Sequence, residues 1–264
     1  MKDLMIMLVL SLAAALGVFF LLYRKKTRTV KAVLLSCGAF VLCMVLCGFV
    51  YLSVYYHADE KAVSYLQDTE AVDVEKTEKG YFFDGPGTDT AFVFYPGAKV
   101  ESTAYAPLMM RLAEEGTDCF LLEVPFHMSV LDVNAVSEIR EKYTYDHWYA
   151  GGHSFGGVAA SWYASNHPSE LDGVILLASY PVSRLSDETG LLSVYGSEDG
   201  VLNFSAYVES KENWPLHSAE KVIIGGNHAG FGSYGRQDGD NEALISSDEQ
   251  IAETVSEISA FMKQ

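Results

Sequence analysis

Two uncharged stretches dominate the first part of the chain. Leu4 to Tyr23 runs 20 residues without a charge, and Ala32 to Tyr55 runs a further 24. At about 1.5 Å of rise per residue, each is long enough as a helix to cross a hydrocarbon layer roughly 30 Å thick. Between them, Arg24 to Lys31 holds five basic residues in eight. A short basic loop between two apolar spans is the signature of a cytoplasmic loop. The pattern therefore predicts a transmembrane hairpin over residues 1–56, with spans at about 4–23 and 32–55 and a basic loop at 24–31. Both ends of such a hairpin face outward, which places everything after it outside the cell membrane. Tyr51, Tyr55 and Tyr56 fit an aromatic belt at the interface. A signal peptide fits less well, because the first run is long and only Lys2 supplies an n-region.

Beyond residue 56 the apolar pattern becomes short and alternating. Residues 57–70 are polar enough for a stalk or a short helix, and 71–264 read as one folded domain. Ala71–Phe83 predicts one or two opening strands, closed by the turn Asp84-Gly85-Pro86-Gly87. Thr90–Tyr95 is a continuous apolar run, as expected of a strand covered on both faces. Helical spacing over Glu101–Glu115, a strand at Cys119–Val124 and a helix at Leu131–Tyr143 follow. Strand Asp146–Gly151, helix Ser154–Asn166, strands Gly173–Ala178 and Leu191–Tyr195, a helix near Val201–Ser210 and strand Lys221–Ile224 continue the alternation. The chain ends in an amphipathic helix, about Ser247–Met262, with Ile251, Val255, Ile258 and Met262 on one stripe. Strands alternating with helices predict an α/β fold, a mainly parallel sheet with helices on both faces. Sites in such folds gather beyond the carboxyl ends of the strands.

Charge sharpens this division. The whole chain carries −17, but residues 1–57 carry six basic residues against one acidic, while residues 58–264 carry 12 against 34. So acidic a domain lacks the cations that nucleic-acid binding needs, and it disfavours polyanionic substrates and anionic headgroups. Cys37, Cys43 and Cys47 lie in the second span and only Cys119 lies beyond it, so the domain has no internal disulfide and no cysteine metal site.

The sharpest chemical signal is Gly152-His153-Ser154-Phe155-Gly156, followed by Gly157, between a predicted strand and a predicted helix. This is a G-x-S-x-G nucleophile elbow in its expected context. Glycines flank the serine because a tight strand-to-helix turn leaves no space for side chains, and the helix N-terminus brings free N–H donors. A serine nucleophile needs a base, and the base an orienting acid. Asp199 follows the strand Leu191–Tyr195, and His228 follows the last strand, each in a loop on the serine's side of the sheet. Glu198 is the competing acid, read as a solvated loop residue. His153 reads as a packing or hydrogen-bonding residue whose side chain points away, His127 as a cleft-lining residue without a visible partner, and His167 as a helix-end residue. An oxyanion hole needs two N–H groups: Phe155, just after the serine, and Ala98 in the turn Pro96-Gly97-Ala98-Lys99, with Lys99 as the alternative.

YPGAKVES, GGHSFGG, YGSEDG and GGNHAGFGSYG, in this order and spacing, resemble the α/β-hydrolase fold. More narrowly they resemble the small bacterial hydrolases grouped as "α/β hydrolase fold-5", related to the dienelactone-hydrolase-like branch, over roughly residues 70–264. The resemblance implies Ser154 as nucleophile, Asp199 as acid, His228 as base, and hydrolysis without fixing a substrate; with this triad the expectation is cleavage of a carboxylic ester or similar acyl substrate, with no cofactor needed. It departs from the lipase pattern at the oxyanion turn, where Pro96-Gly97 stands in place of His-Gly. An acyltransferase or peptidase using the same triad, or a non-catalytic binding module on the same scaffold, are the alternatives. Only about a dozen residues separate Ala178 from Gly190, too few for a helical lid, so an open cleft for small or protruding substrates is expected. Asp238-Gly239-Asp240 offers too few carboxylates for a Ca²⁺ site.

Overall fold

A computed structural model describes residues 2–87 and 89–263, as two compact units that divide after Val54. The first unit is a pair of helices, α1 (Lys2–Arg24) and α2 (Thr29–Ser53), packed on each other. Their outer surfaces are apolar all round, with Val9, Leu16, Phe20, Leu34, Val45 and Phe49 exposed. Such helices are long and apolar enough to cross a membrane. The turn is shorter than the basic loop expected, because Thr29, Val30 and Lys31 already belong to α2. At the other end α2 stops at Ser53, ahead of Tyr55 and Tyr56. They belong to the second unit: Tyr55 stacks on His127, and Tyr56 forms a parallel bridge with Val100.

The segment expected as a stalk or short helix does form a short helix, and it is built into the second unit. Asp59 caps the short helix α3 (Glu60–Ser64) by accepting the Ala62 N–H at 2.7 Å, and its own N–H donates to Ser233 C=O at 2.9 Å. Ala62 is fully buried, and Tyr65 and Leu66 pack on the core. These apolar residues, spaced among charges, are what dock the segment.

Eight strands form one sheet: β1 (Asp73–Thr77), β2 (Gly80–Asp84), β3 (Thr90–Tyr95), β4 (Asp118–Leu122), β5 (His147–His153), β6 (Gly173–Leu177), β7 (Gly190–Gly196) and β8 (Ser218–Ile223). Their order is β1-β2-β4-β3-β5-β6-β7-β8, with the first two pairings antiparallel and the remainder parallel. Alternation along β3 shows why its run is apolar throughout. Phe92 and Phe94 enter one core with α4 (Ala106–Glu114) and α8 (Ser247–Met262), while Ala91, Val93 and Tyr95 enter the other with α5 (Ala135–Arg140) and α6 (Phe155–Asn166). A side-chain period of two makes both faces hydrophobic. The fold is thus an α/β-hydrolase sheet with helices on both sides.

Two helices are shorter than their patterns predict. The first turn of the Glu101–Glu115 segment is a 3₁₀ turn, Ser102–Tyr105, ahead of α4. The Leu131–Tyr143 helix contracts to α5, because Val133 C=O accepts the Tyr95 hydroxyl at 2.5 Å and Asp132 accepts Lys79 at 3.0 Å, holding residues 132–134 out of the helix. A short helix α7 (Phe204–Glu209) follows β7. Residues 178–189, between β6 and β7, contain no helix.

Candidate active site

The elbow is built by close backbone packing. Ser154 stands between β5 and α6 at φ 52° and ψ −121°, a left-handed conformation unusual for a residue with a side chain. A Cβ on Gly156 would lie 2.2 Å from Tyr95 O and 2.4 Å from Pro96 O, and one on Gly152 would meet Gly156 C at 2.5 Å. A Cβ on Gly157 would lie 2.6 Å from the Ser179 side chain. Glycine at 152 and 156 lets the start of α6 sit against the end of β3, and glycine at 157 lets it approach Ser179 beyond β6. Ser154 itself is half-buried and its N–H donates to Leu177 C=O at 2.8 Å.

Asp199 and His228 come together. His228 Nδ1 lies 2.9 Å from Asp199 Oδ2 and 3.1 Å from Oδ1, with both side chains almost wholly buried. Oδ1 also accepts the N–H groups of Val201 and Leu202 at 2.9 and 2.8 Å, which fixes the carboxylate plane. A carboxylate fixed by this many hydrogen bonds holds the neutral imidazole in the tautomer with its proton on Nδ1. His228 Nε2 is then left as an acceptor, buried and without a partner among the described residues. Ser154 and His228 line one cavity of about 160 Å³, together with Val158, Ala178, Leu202 and Asn203. Glu198, the competing acid, instead accepts the hydroxyl of Ser197 at 2.9 Å.

The oxyanion candidates separate in the same way. Lys99 N–H donates to His127 C=O at 2.8 Å. Among the described residues, neither Ala98 N–H nor Phe155 N–H has an acceptor. Gly97 N–H donates to the Tyr105 hydroxyl at 3.2 Å, whose own proton is available to His153 Nδ1, 2.8 Å away. His153 is fully buried, and its ring lies 4.6 Å from that of His228 rather than turned away from it. Burial, helped by the His228 ring, pushes the His153 imidazole well below the usual histidine range. Burial likewise raises the Tyr105 phenol, which stays protonated.

Three positioning groups escape a reading of the sequence. Asp240 accepts Ala229 N–H at 2.9 Å and Gly200 N–H at 3.0 Å, tying the His228 loop to the Asp199 loop. Gln250, fully buried on α8, grips the backbone of Asn227 from both sides: its Oε1 accepts Asn227 N–H at 3.0 Å, and its Nε2 donates to Asn227 C=O at 2.8 Å. Tyr105 holds the Pro96-Gly97-Ala98-Lys99 turn through the Gly97 N–H. The glycines around the base leave space for Gln250, since a Cβ on Gly230 would lie 2.1 Å from its Oε1. Of the remaining histidines, His127 lies under the Tyr55 ring at 3.8 Å, and His167 Nδ1 is 2.9 Å from Tyr163 O.

A mainly parallel sheet, a serine at positive φ between β5 and α6, and a hydrogen-bonded Asp199–His228 pair in the loops after β7 and β8 define a class of protein. Residues 91–252 match the alpha/beta hydrolase family, and the chain belongs to that family. Among solved structures, Est1E from Butyrivibrio proteoclasticus has a similar fold, with a TM-score of 0.52 at 15% identity, covering 72% of this chain and 98% of that one. No curated protein matches the sequence.

Proposed function

We propose that the protein is a serine hydrolase, held at a membrane by its N-terminal hairpin, that cleaves a carboxylic ester or similar acyl substrate outside the cell. Ser154 Oγ attacks the acyl carbon while His228 Nε2 takes the hydroxyl proton. Asp199 accepts the Nδ1–H and stabilises the imidazolium. The N–H groups of Phe155 and Ala98 hold the developing oxyanion. The leaving alkoxide departs with the proton from His228, and water, activated by the same imidazole, releases the acid and restores Ser154. The observation that carries this reading is the buried Asp199–His228 pair, whose histidine lines the same cavity as Ser154 and whose Nε2 has no other partner among the described residues.

The basic loop between two apolar helices supports the outward orientation. Hydrolysis is tested with p-nitrophenyl esters of short acids on membranes carrying the full chain. Ser154→Ala and His228→Ala should each lower kcat by about 10³-fold or more. Release of p-nitrophenol that is unchanged in both variants contradicts the proposal. Products carrying the acyl group on an added alcohol or amine would reassign it as a transferase.

A further inference from the structure

The chain that leaves the second apolar helix is paired almost at once. α2 ends at Ser53, and Tyr56 N–H already donates to Lys99 C=O at 2.7 Å. Tyr56 C=O accepts Glu101 N–H at 2.9 Å, which makes a parallel bridge centred on Val100. The Tyr56 phenol oxygen accepts Asp238 N–H at 3.0 Å, from the loop that follows His228. The residues on either side are held as well. Tyr55 stacks on His127 at 3.8 Å, and Glu101 Oε2 accepts Ala58 N–H at 3.1 Å and lies 3.3 Å from His57 Nδ1.

These contacts converge on Lys99, the residue after the oxyanion candidate Ala98. Lys99 stands at φ 59°, a conformation that a side chain with a Cβ adopts only where its surroundings enforce it. Its N–H is held by His127 C=O at 2.8 Å, and Tyr56 holds its C=O. One end of the turn is therefore fixed by the β4 side of the fold, and the other by the segment that follows the hairpin.

We propose that Tyr56 is a positioning residue of the oxyanion turn, keeping the Ala98 N–H in place by clamping Lys99 in its left-handed conformation. The proposal rests on the reading of Ser154 as nucleophile and Ala98 as an oxyanion donor. On this account the first residues of the second unit, from Tyr55 to Ala58, are part of the active site's frame.

The test uses the full chain in membranes, with kcat and KM on p-nitrophenyl butyrate and with active sites counted by saturating fluorophosphonate labelling. Tyr56→Pro removes the N–H that holds Lys99. It should lower kcat per labelled site about 10- to 100-fold with KM within threefold, somewhat less than outright loss of an oxyanion donor. A second pair loosens the clamp from its flank, at the Ala58 and His57 contacts that hold the Tyr56 segment against the turn. Glu101→Ala frees Ala58 and His57 and should lower kcat several-fold at unchanged KM, whereas Glu101→Gln, whose amide oxygen can still accept the Ala58 N–H, should recover most of it. The Glu101 pair decides the matter where Tyr56→Pro gives no labelled sites. Wild-type kcat per site in Glu101→Ala, or in a labelled Tyr56→Pro, overturns the proposal, as does a loss carried wholly by KM. A wild-type protein that neither labels nor turns over sinks the serine-hydrolase reading instead.

Discussion

The choice between neighbouring residues turns on one hydrogen bond each. Asp199 and Glu198 are adjacent, yet only Asp199 reaches His228, because its Oδ1 is pinned by two N–H groups of its own loop. Asp199→Asn keeps an oxygen acceptor but no longer enforces the Nδ1–H tautomer. It should lower kcat about 10⁴-fold with the fold intact, while Glu198→Gln stays within twofold. Equal losses in both, measured as kcat per labelled site, would reassign the acid. His153 gives a second prediction at this scale. Its folded-state pKa is depressed by burial, so the unfolded chain binds a proton there that the folded chain refuses. Stability from this group is present above the ordinary histidine pKa of about 6.5 and is lost as pH falls below it. Denaturant midpoints of the wild type should therefore drop more between pH 7.5 and 5.5 than those of His153→Gln. A parallel drop in both would remove His153 as the cause.

At the level of elements, glycines decide how close α6 comes to β3. The Cβ of a Gly156→Ala variant would sit 2.2 Å from Tyr95 O, a backbone atom that cannot yield without moving the strand end. This variant should be destabilised by about 1–3 kcal/mol and lose at least tenfold in kcat. Thermal unfolding and turnover together check it, and wild-type values in both would mean the elbow is looser than described. The elbow, the strand–helix alternation and the order of Ser154, Asp199 and His228 were legible because each depends on local pattern: period, glycine spacing and position after a strand. What escaped depends on contacts between distant segments. Asp240 bonds Gly200, and Gln250 on α8 bonds Asn227; neither pairing leaves a trace in local pattern. The contraction of the Leu131–Tyr143 helix has the same origin, since Tyr95 and Lys79 draw residues 132–134 away from helical geometry. The docking of residues 57–66 was hidden for a related reason. Ala62, Tyr65 and Leu66 are too few to show a period, though enough to hold a five-residue helix on the core.

For the whole molecule, two units of opposite charge are joined within one chain: a cationic, apolar hairpin and an acidic α/β-hydrolase domain. The proposed orientation puts the domain outside the cell, and Val182, 53% exposed in the β6–β7 connection, offers a reporter position. Val182→Cys should react with a membrane-impermeant thiol reagent on intact cells. Reaction only after lysis would place the domain on the inner side. The central claim is chemical, however, and it concerns one oxygen atom. The most direct measurement is the mass of peptides from the full-length protein after exposure to a fluorophosphonate. The account predicts a single phosphonyl adduct on Ser154, absent from Ser154→Ala and greatly slowed in His228→Ala. An unmodified Ser154, or the same labelling in wild type and Ser154→Ala, would contradict it.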